Sequence, residues 1–321
     1  MTACVRKCRA MLRPLKVRCM DVSSHLFYSM LFAFHRGRKR DAKYYCSICA
    51  IFKDEAPYLR EWLEYHLLVG VDHFYLYNNF SSDNYKDILA AYTEKGIVTL
   101  VEWPVKYGQV SAYEDCGKRY AQESRWILFL DLDEFVCPTI ETSVGTWLKR
   151  FERYPAVKMY WLLFGTNGII DADSEKLVIE QYTCSWAKLR NVGKVAWNTD
   201  FVPHEVYHEH LFCKYKALGQ VWRLPMVNEA RHFIAYPTAE RVPRRNTIQL
   251  NHYWSKSLRE YISKINKGDV LSAENDLRRL DLDFFYWHEH QNVREEKTIF
   301  RFLIALKVRM GKANIQFGRT R

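Results

Sequence analysis

Trp126-Ile-Leu-Phe-Leu-Asp-Leu-Asp-Glu-Phe135 (WILFLDLDEF) runs an apolar segment straight into Asp131, Asp133 and Glu134. A short apolar run of this length fits a buried strand. Three carboxylates within four residues at its end need a cause, because crowded like charges at the edge of a core repel unless a cation relieves them. A helix or turn cap accounts for one of the acids and leaves two. The chain nearly repeats the pattern at Leu280-Asp-Leu-Asp-Phe-Phe285, but that copy follows the polar segment 273–279 and leaves no apolar strand. Asp281 there reads as a turn cap, so the pair Asp131 and Asp133 is the candidate site.

Working outward, the chain before this stretch alternates. Tyr45–Phe52 is a strand. Asp54 and Pro57 open a helix as capping side chain and first-turn proline, and Gly70 ends it. Val71–Tyr77 is the second strand, Tyr85–Tyr92 a helix closed by Gly96, Ile97–Trp103 the third strand, Val110–Glu123 a helix and Trp126–Leu130 the fourth strand. This β-α-β-α-β-α-β order predicts an α/β fold with a doubly wound parallel sheet, in which ligands bind beyond the carboxyl ends of the strands. The four loops leaving those ends start at Lys53, Asn78, Pro104 and Asp131, and all carry polar or charged residues. After Pro138 the alternation weakens. Val157–Phe164, Leu177–Tyr182 and Ile248–Trp254 are expected strands, Ser257–Lys267 and Thr298–Met310 expected helices, and Gly193–Arg245 reads as irregular.

The 321 residues suffice for one large α/β domain or two modest ones. The net charge of +11 sits at the ends: residues 1–45 hold eleven Lys/Arg against two Asp, and 291–321 hold eight against two Glu. The body between them is slightly acidic. That argues against nucleic acid and for an anionic surface such as a membrane, or a phosphate-bearing acceptor. The apolar stretch Val22–Phe34 is too short and too broken by polar residues to span a bilayer, so residues 1–44 are expected to form a basic amphipathic arm lying on a membrane. Nine scattered cysteines, with one C-x-x-C at Cys46 and Cys49 and no second pair, read as reduced thiols of a cytoplasmic protein.

Asp131 and Asp133 suit a divalent ion, since Mg²⁺ and Mn²⁺ take one or two carboxylates and leave the remaining positions to phosphate and water. The run from Ala50 to His66 (AIFKDEAPYLREWLEYH), Gly70–Asn79 (GVDHFYLYNN) and Ser81–Asn84 (SSDN) resembles glycosyltransferase family 92 and its family-2-like relatives. Gln109, Ala112, Asp115 and Cys116 follow in order, then Asp131-Leu-Asp-Glu-Phe135 as the D-x-D, Phe164–Gly168, Lys194, His208 and Asn251–Ser257. The likeness covers roughly residues 45–270, is loose between Val195 and Arg245, and departs at Asp54, where Asn is commoner. It implies a GT-A domain over 45–270 whose mostly parallel nucleotide-binding sheet joins a mixed acceptor half, with a basic helical extension over 271–321.

The resemblance further implies an inverting glycosyltransferase that moves galactose or a similar hexose from a UDP-sugar to a glycan or lipid-linked saccharide acceptor. Mn²⁺ or Mg²⁺ would be held by Asp131, Asp133 and His252, and imidazole tilts the choice to Mn²⁺. Lys194 and Lys256 would meet phosphates. Asp54, Glu55, Asn78, Asn79 and Asp83 would meet uracil and ribose, and Gln109 and Asp115 ribose or sugar. Inversion needs a general base. Glu180, Asp200, Glu205, Glu209 and Glu229 are the acids in the acceptor half; Glu229 is favoured and His208 competes. The rival classes are a metal-dependent phosphotransferase or nuclease, and a non-catalytic sugar- or membrane-binding protein.

Overall fold

The computed structural model describes residues 19–35, 41–206, 209–236, 242–243, 246–267 and 282–312. A helix whose described part covers 19–32 (α1) precedes β1 (Tyr44–Phe52), the last seven residues of which are buried. The chain then alternates through α2 (Ala56–Leu68), β2 (His73–Asn78), α3 (Tyr85–Glu94), β3 (Val98–Glu102), α4 (Gln109–Tyr120) and β4 (Ser124–Phe129). β1 pairs in parallel with β2 on one side and β4 on the other, and β2 pairs in parallel with β3. The order β3-β2-β1-β4 therefore reverses between β1 and β4. In a doubly wound sheet that reversal opens a crevice at the carboxyl ends of those two strands.

Local chemistry sets these elements. α2 buries Leu59, Trp62, Leu63, Tyr65 and His66 along one side, and Gly70 leaves it with φ +89°, a backbone open to glycine at low cost. His66 is wholly buried between Trp62 O (2.8 Å from Nδ1) and the Val136 amide, which reaches Nε2 at 3.3 Å. Burial lowers its pKa to about 3, so it stays neutral and ties α2 to the strand after the acidic turn.

That strand is β5 (Glu134–Pro138). It is followed by α5 (Val144–Leu148), β6 (Ala156–Leu163), α6 (Val178–Gln181), β7 (Cys184–Trp186), β8 (Gly193–Asn198), β9 (Val202–Val206), β10 (Leu211–Ala217), β11 (Gln220–Pro225), β12 (Ile248–His252), α7 (Leu258–Lys267), α8 (Leu282–Glu289), β13 (Asn292–Glu295) and α9 (Leu303–Arg309). The sheet runs on past β4 as β8-β6-β12-β5, with β8 and β5 antiparallel to their neighbours and β6 parallel to β12. This is the GT-A arrangement: a parallel half joined to a mixed half.

Three expectations change. Residues 177–182 form a helical turn rather than a strand, because the buried Glu61 carboxylate accepts the Val178 and Ile179 amides (2.7 and 3.1 Å) at the helix start. The stretch 193–245, expected to be irregular, contains four strands, and β9, β10 and β11 form a separate antiparallel sheet. Asp54 does not cap α2, as described below. The C-terminal segment adds to the main body: β13 pairs with β7, and Ile299, Phe302 and Leu306 enter the central core, as does Phe32 of α1. Cys46 and Cys49 are free, buried core thiols of β1. Among the described residues no helix is long and apolar enough to cross a membrane.

Candidate active site

The acidic turn closes on itself before any other element touches it. Glu134 N donates to Asp131 O (3.1 Å), and Asp131 N donates to the Glu134 carboxylate at 2.9 Å. The other Glu134 oxygen accepts Trp161 Nε1 of β6 at 2.6 Å, and the Trp161 ring lies against His252 at 4.8 Å. β12 clamps the turn from the second side, since Tyr253 N donates to Asp133 O at 2.9 Å. His252 also faces Glu134 across the β12–β5 ladder. Parallel strands β4, β6 and β12 all end at this rim.

The two aspartates point to different surroundings. Asp131 receives Lys194 Nζ at 2.8 Å, Gln109 Nε2 at 2.8 Å and Tyr113 OH at 3.4 Å. Lys194 is fully buried and also lies 3.9 Å from Glu134. It enters here because β8 packs against β6 at Gly193, where a side chain would meet Met159 O at 1.9 Å. Asp133 instead meets Lys264 Nζ of α7 at 2.5 Å and His252 Nε2 at 3.4 Å. The His252 contact is to the buried Asp133 Oδ1 and is long for a hydrogen bond, and the buried His252 Nδ1 makes none among the described residues.

These contacts fix the electrostatics. Burial would raise the Asp133 pKa, but Lys264 and His252 outweigh it and hold the carboxyl well below its usual range. Burial keeps His252 below the ordinary imidazole value despite Asp133. Burial would lower the Lys194 pKa, yet Asp131 and Glu134 hold it up and keep the ammonium charged. Glu134 is pushed up by burial against the pull of Lys194. Both of its oxygens nonetheless accept N–H bonds, so a proton would displace one of them, and the ionised form fits the contacts better.

The part of the rim formed by the loops after β1, β2 and β12 is cross-linked. Asp54, with φ +51°, accepts Ser82 N at 2.7 Å, and its own amide donates to Ser81 Oγ at 2.9 Å. α2 is capped from the neighbouring loop, by Asp83 accepting the Ala56 amide at 2.8 Å. Asn78 Nδ2 serves Glu102 (2.6 Å) and Tyr85 OH (2.8 Å), and Asn79 Nδ2 serves the carbonyls of Trp103 and Val105. Lys256, at φ +50°, lies over the Tyr58 ring (3.7 Å) and 3.5 Å from Glu55. Phe80, Tyr107 and Asn167, in the loops after β2, β3 and β6, share this left-handed backbone with Asp54 and Lys256, and such a concentration of non-glycine residues on one rim marks a constrained site.

Other expected residues lie elsewhere. Glu229 accepts the Thr247 amide and hydroxyl (2.6 and 2.9 Å) at the start of β12, the opposite rim from His252. Asp200 pairs with Arg125 at the start of β4, also on that rim, and Glu180 pairs with Lys307. Asp115 accepts Tyr77 OH at 2.8 Å, away from the acidic turn. His208, the Glu205 side chain and Asp281 fall outside the described residues, and Asp283 is exposed on α8. Lys264, Glu134 and Trp161 were not expected from the sequence. Lys264 carries no local motif. Glu134 was visible only as a third acid in the crowded turn.

Among the described residues no group of three or more His, Cys, Asp and Glu side chains is placed to hold a metal ion. Asp131 does not join Asp133 and His252, because Lys194 and Gln109 hold it. The remaining pair fits part of a divalent shell: a buried carboxylate oxygen 3.4 Å from an imidazole nitrogen.

The doubly wound parallel half, continued by the mixed strands β8-β6-β12-β5, gives an α/β fold of the GT-A class. The chain belongs to glycosyltransferase family 92, whose sequence profile matches residues 42–279. A family 92 protein of rice, Oryza sativa subsp. japonica, is 30% identical over 197 residues, covering 58% of this chain and 33% of its own. A galactan beta-1,4-galactosyltransferase of Arabidopsis thaliana is 22% identical over 171 residues, covering 50% and 33%. A solved structure of S. aureus TarS in complex with UDP-GlcNAc superposes at TM-score 0.33 with 12% identity, over 48% of this chain and 45% of that one. The chain spans about a third of the length of the curated relatives it matches.

Proposed function

We propose that the chain is a divalent-metal-dependent, inverting glycosyltransferase that moves galactose or a similar hexose from a UDP-sugar to a glycan or lipid-linked saccharide. The observation carrying this reading is the Asp133–His252 pair, placed at the carboxyl rim of the strands with the buried Asp133 Oδ1 3.4 Å from His252 Nε2. The galactan transferase among the relatives supports galactose. Asp133 and His252 would hold Mn²⁺ or Mg²⁺. When bound, the ion neutralises charge developing on the leaving UDP.

The chain's own residues do the rest. Glu134 and Trp161 fix the turn so that Asp133 cannot swing away. Lys194 and Gln109 hold Asp131 at the ribose side of the crevice. Lys256 presents a positive charge between the late loop and Glu55, and the linked loops carrying Asp54 and Asp83 form the uridine side. The acceptor hydroxyl loses its proton to a base that reaches this rim, which excludes Glu229 and Asp200.

Calorimetric titration of UDP with and without Mn²⁺ tests the reading. Wild-type chain should bind UDP at least about tenfold tighter with Mn²⁺, and Asp133→Ala should lose that gain while Asp283→Ala keeps it. A folded wild-type chain that binds no UDP in either condition would remove the donor as written.

The same proposal places the chain at the cytoplasmic face of a membrane. Val22, Leu26 and Met30 are exposed along one side of α1, and residues 1–45 are strongly basic. The 321-residue chain should float with anionic vesicles and a chain lacking residues 1–44 should not; equal flotation would separate the arm from the membrane.

A further inference from the structure

Lys264 stands outside every motif described above, yet it makes the closest ionic contact in the candidate site. Its Nζ lies 2.5 Å from Asp133 Oδ2 and 3.3 Å from Trp254 O. The helix that presents it is well anchored. The Ser257 amide donates to Glu260 at 2.9 Å, and Tyr261, nearly fully buried, packs between Trp254 (5.1 Å) and Phe285 (4.7 Å). The Lys264 side chain itself remains 28% exposed, against 10% for Asp133. A buried carboxylate is thus held by an ammonium on a flexible stem that has solvent to move into.

We infer that Lys264 competes with the divalent ion for Asp133 and, once displaced, pairs with the diphosphate of the donor. The inference rests on the donor reading above and names the residue that couples metal to nucleotide. An ammonium and a divalent cation drawn to one carboxylate repel each other at close range. His252 at 3.4 Å offers the ion a second donor, but no second negative charge. A metal arriving alone must therefore displace Lys264, whose other bond is to the neutral Trp254 carbonyl and whose ion pairs among the described residues are all to Asp133. A metal arriving with a diphosphate brings a partner for the freed ammonium, and the ion pair is exchanged rather than lost. Binding of the two becomes cooperative because each removes part of the other's cost. Lys256 also faces Asp133, but its ammonium is already engaged with Glu55 and Tyr58.

The test compares wild type, Lys264→Met and Lys264→Arg by titration with Mn²⁺ alone, UDP alone and UDP in the presence of Mn²⁺. Removing the competitor should tighten Mn²⁺ binding without nucleotide by about tenfold or more, and should shrink the factor by which Mn²⁺ strengthens UDP binding. Lys264→Arg should stay near wild type. A purely structural ion pair would instead lower thermal stability and leave Mn²⁺ affinity equal or weaker, and that result overturns the inference. Should Lys264→Met fail to fold, Lys264→Gln keeps a donor for Trp254 O without the charge, and the same two outcomes apply. If wild type binds UDP more tightly with Mn²⁺ but the variants show no gain for Mn²⁺ alone, only this inference falls. If wild type shows no metal-dependent UDP binding, the donor reading falls and takes this one with it.

Discussion

The two sides of the carboxyl rim are built on different principles. On the side proposed to hold the nucleotide, the loops after β1 and β2 bond to each other through Asp54 to Ser82 and Asp83 to Ala56, while Asn78 braces the second loop by accepting the Ser81 amide and donating to Glu102 of β3. On the side proposed to hold the diphosphate, Asp131, Asp133, Glu134, Lys194, His252 and Lys264 meet through charge. The first side is a preformed mould whose polar groups serve its own shape. The second holds opposed charges in a low-dielectric setting, where each depends on its partner. Rigid shape and exchangeable charge are what a site needs if it is to recognise a base and grip a diphosphate.

The largest effect that would break this comparison is at Lys194. It is fully buried between Asp131 and Glu134, and Lys194→Met leaves two carboxylates without their cation. Breaking a buried pair from one end costs about 3–5 kcal/mol, so urea unfolding at neutral pH should lose that order of stability. The pH dependence gives a second check. Burial already raises the Glu134 pKa and Lys194 opposes the rise. Without Lys194 the folded-state value climbs further above the unfolded one. Such a group adds stability below its unfolded pKa and loses it as pH rises through its folded pKa. The deficit of Lys194→Met should therefore shrink on acidification toward the ordinary carboxylate range. A deficit under about 1 kcal/mol that ignores pH would show that the charge on this side is balanced elsewhere.

How far the sequence disclosed these two sides follows from the range of their contacts. The parallel half was legible because each β-α-β unit is local: apolar strand, amphipathic helix, glycine stop at Gly70 or Gly96. The acidic turn was legible because three acids after an apolar run break the usual balance. The mixed half was not, since β8 joins β4 and β6 through pairings far apart in the chain, and no local period announces them. Leu177–Tyr182 was misread as a strand because its apolar run matches both periods, and what decides is Glu61, more than a hundred residues earlier. Lys264 escaped for the same reason: it is one lysine on an amphipathic helix, and only the fold brings it to Asp133. Glu229 was favoured for its place in an irregular loop, whereas the sheet direction puts it at the far end of β12.

A smaller effect sharpens the comparison from the nucleotide side. Asp54 followed by Pro57 looked like a helix cap, but Asp54 turns toward Ser82 and the cap of α2 comes from Asp83. Asp83 also accepts the Tyr85 amide at 3.4 Å, so one carboxylate joins the starts of two helices. Both helices carry partial positive charge at those ends, which favours an anion there. Asp83→Ala should cost about 1 kcal/mol of stability, the usual scale for losing a capping side chain. UDP binding should weaken only in step with the loosened loops, and Asp83→Asn, which keeps an acceptor, should recover most of both. The opposite pattern would recast this side of the rim. If Asp83→Ala unfolds at the wild-type urea concentration yet no longer binds UDP, Asp83 touches the nucleotide directly, and the nucleotide side is as dependent on its ligand as the diphosphate side.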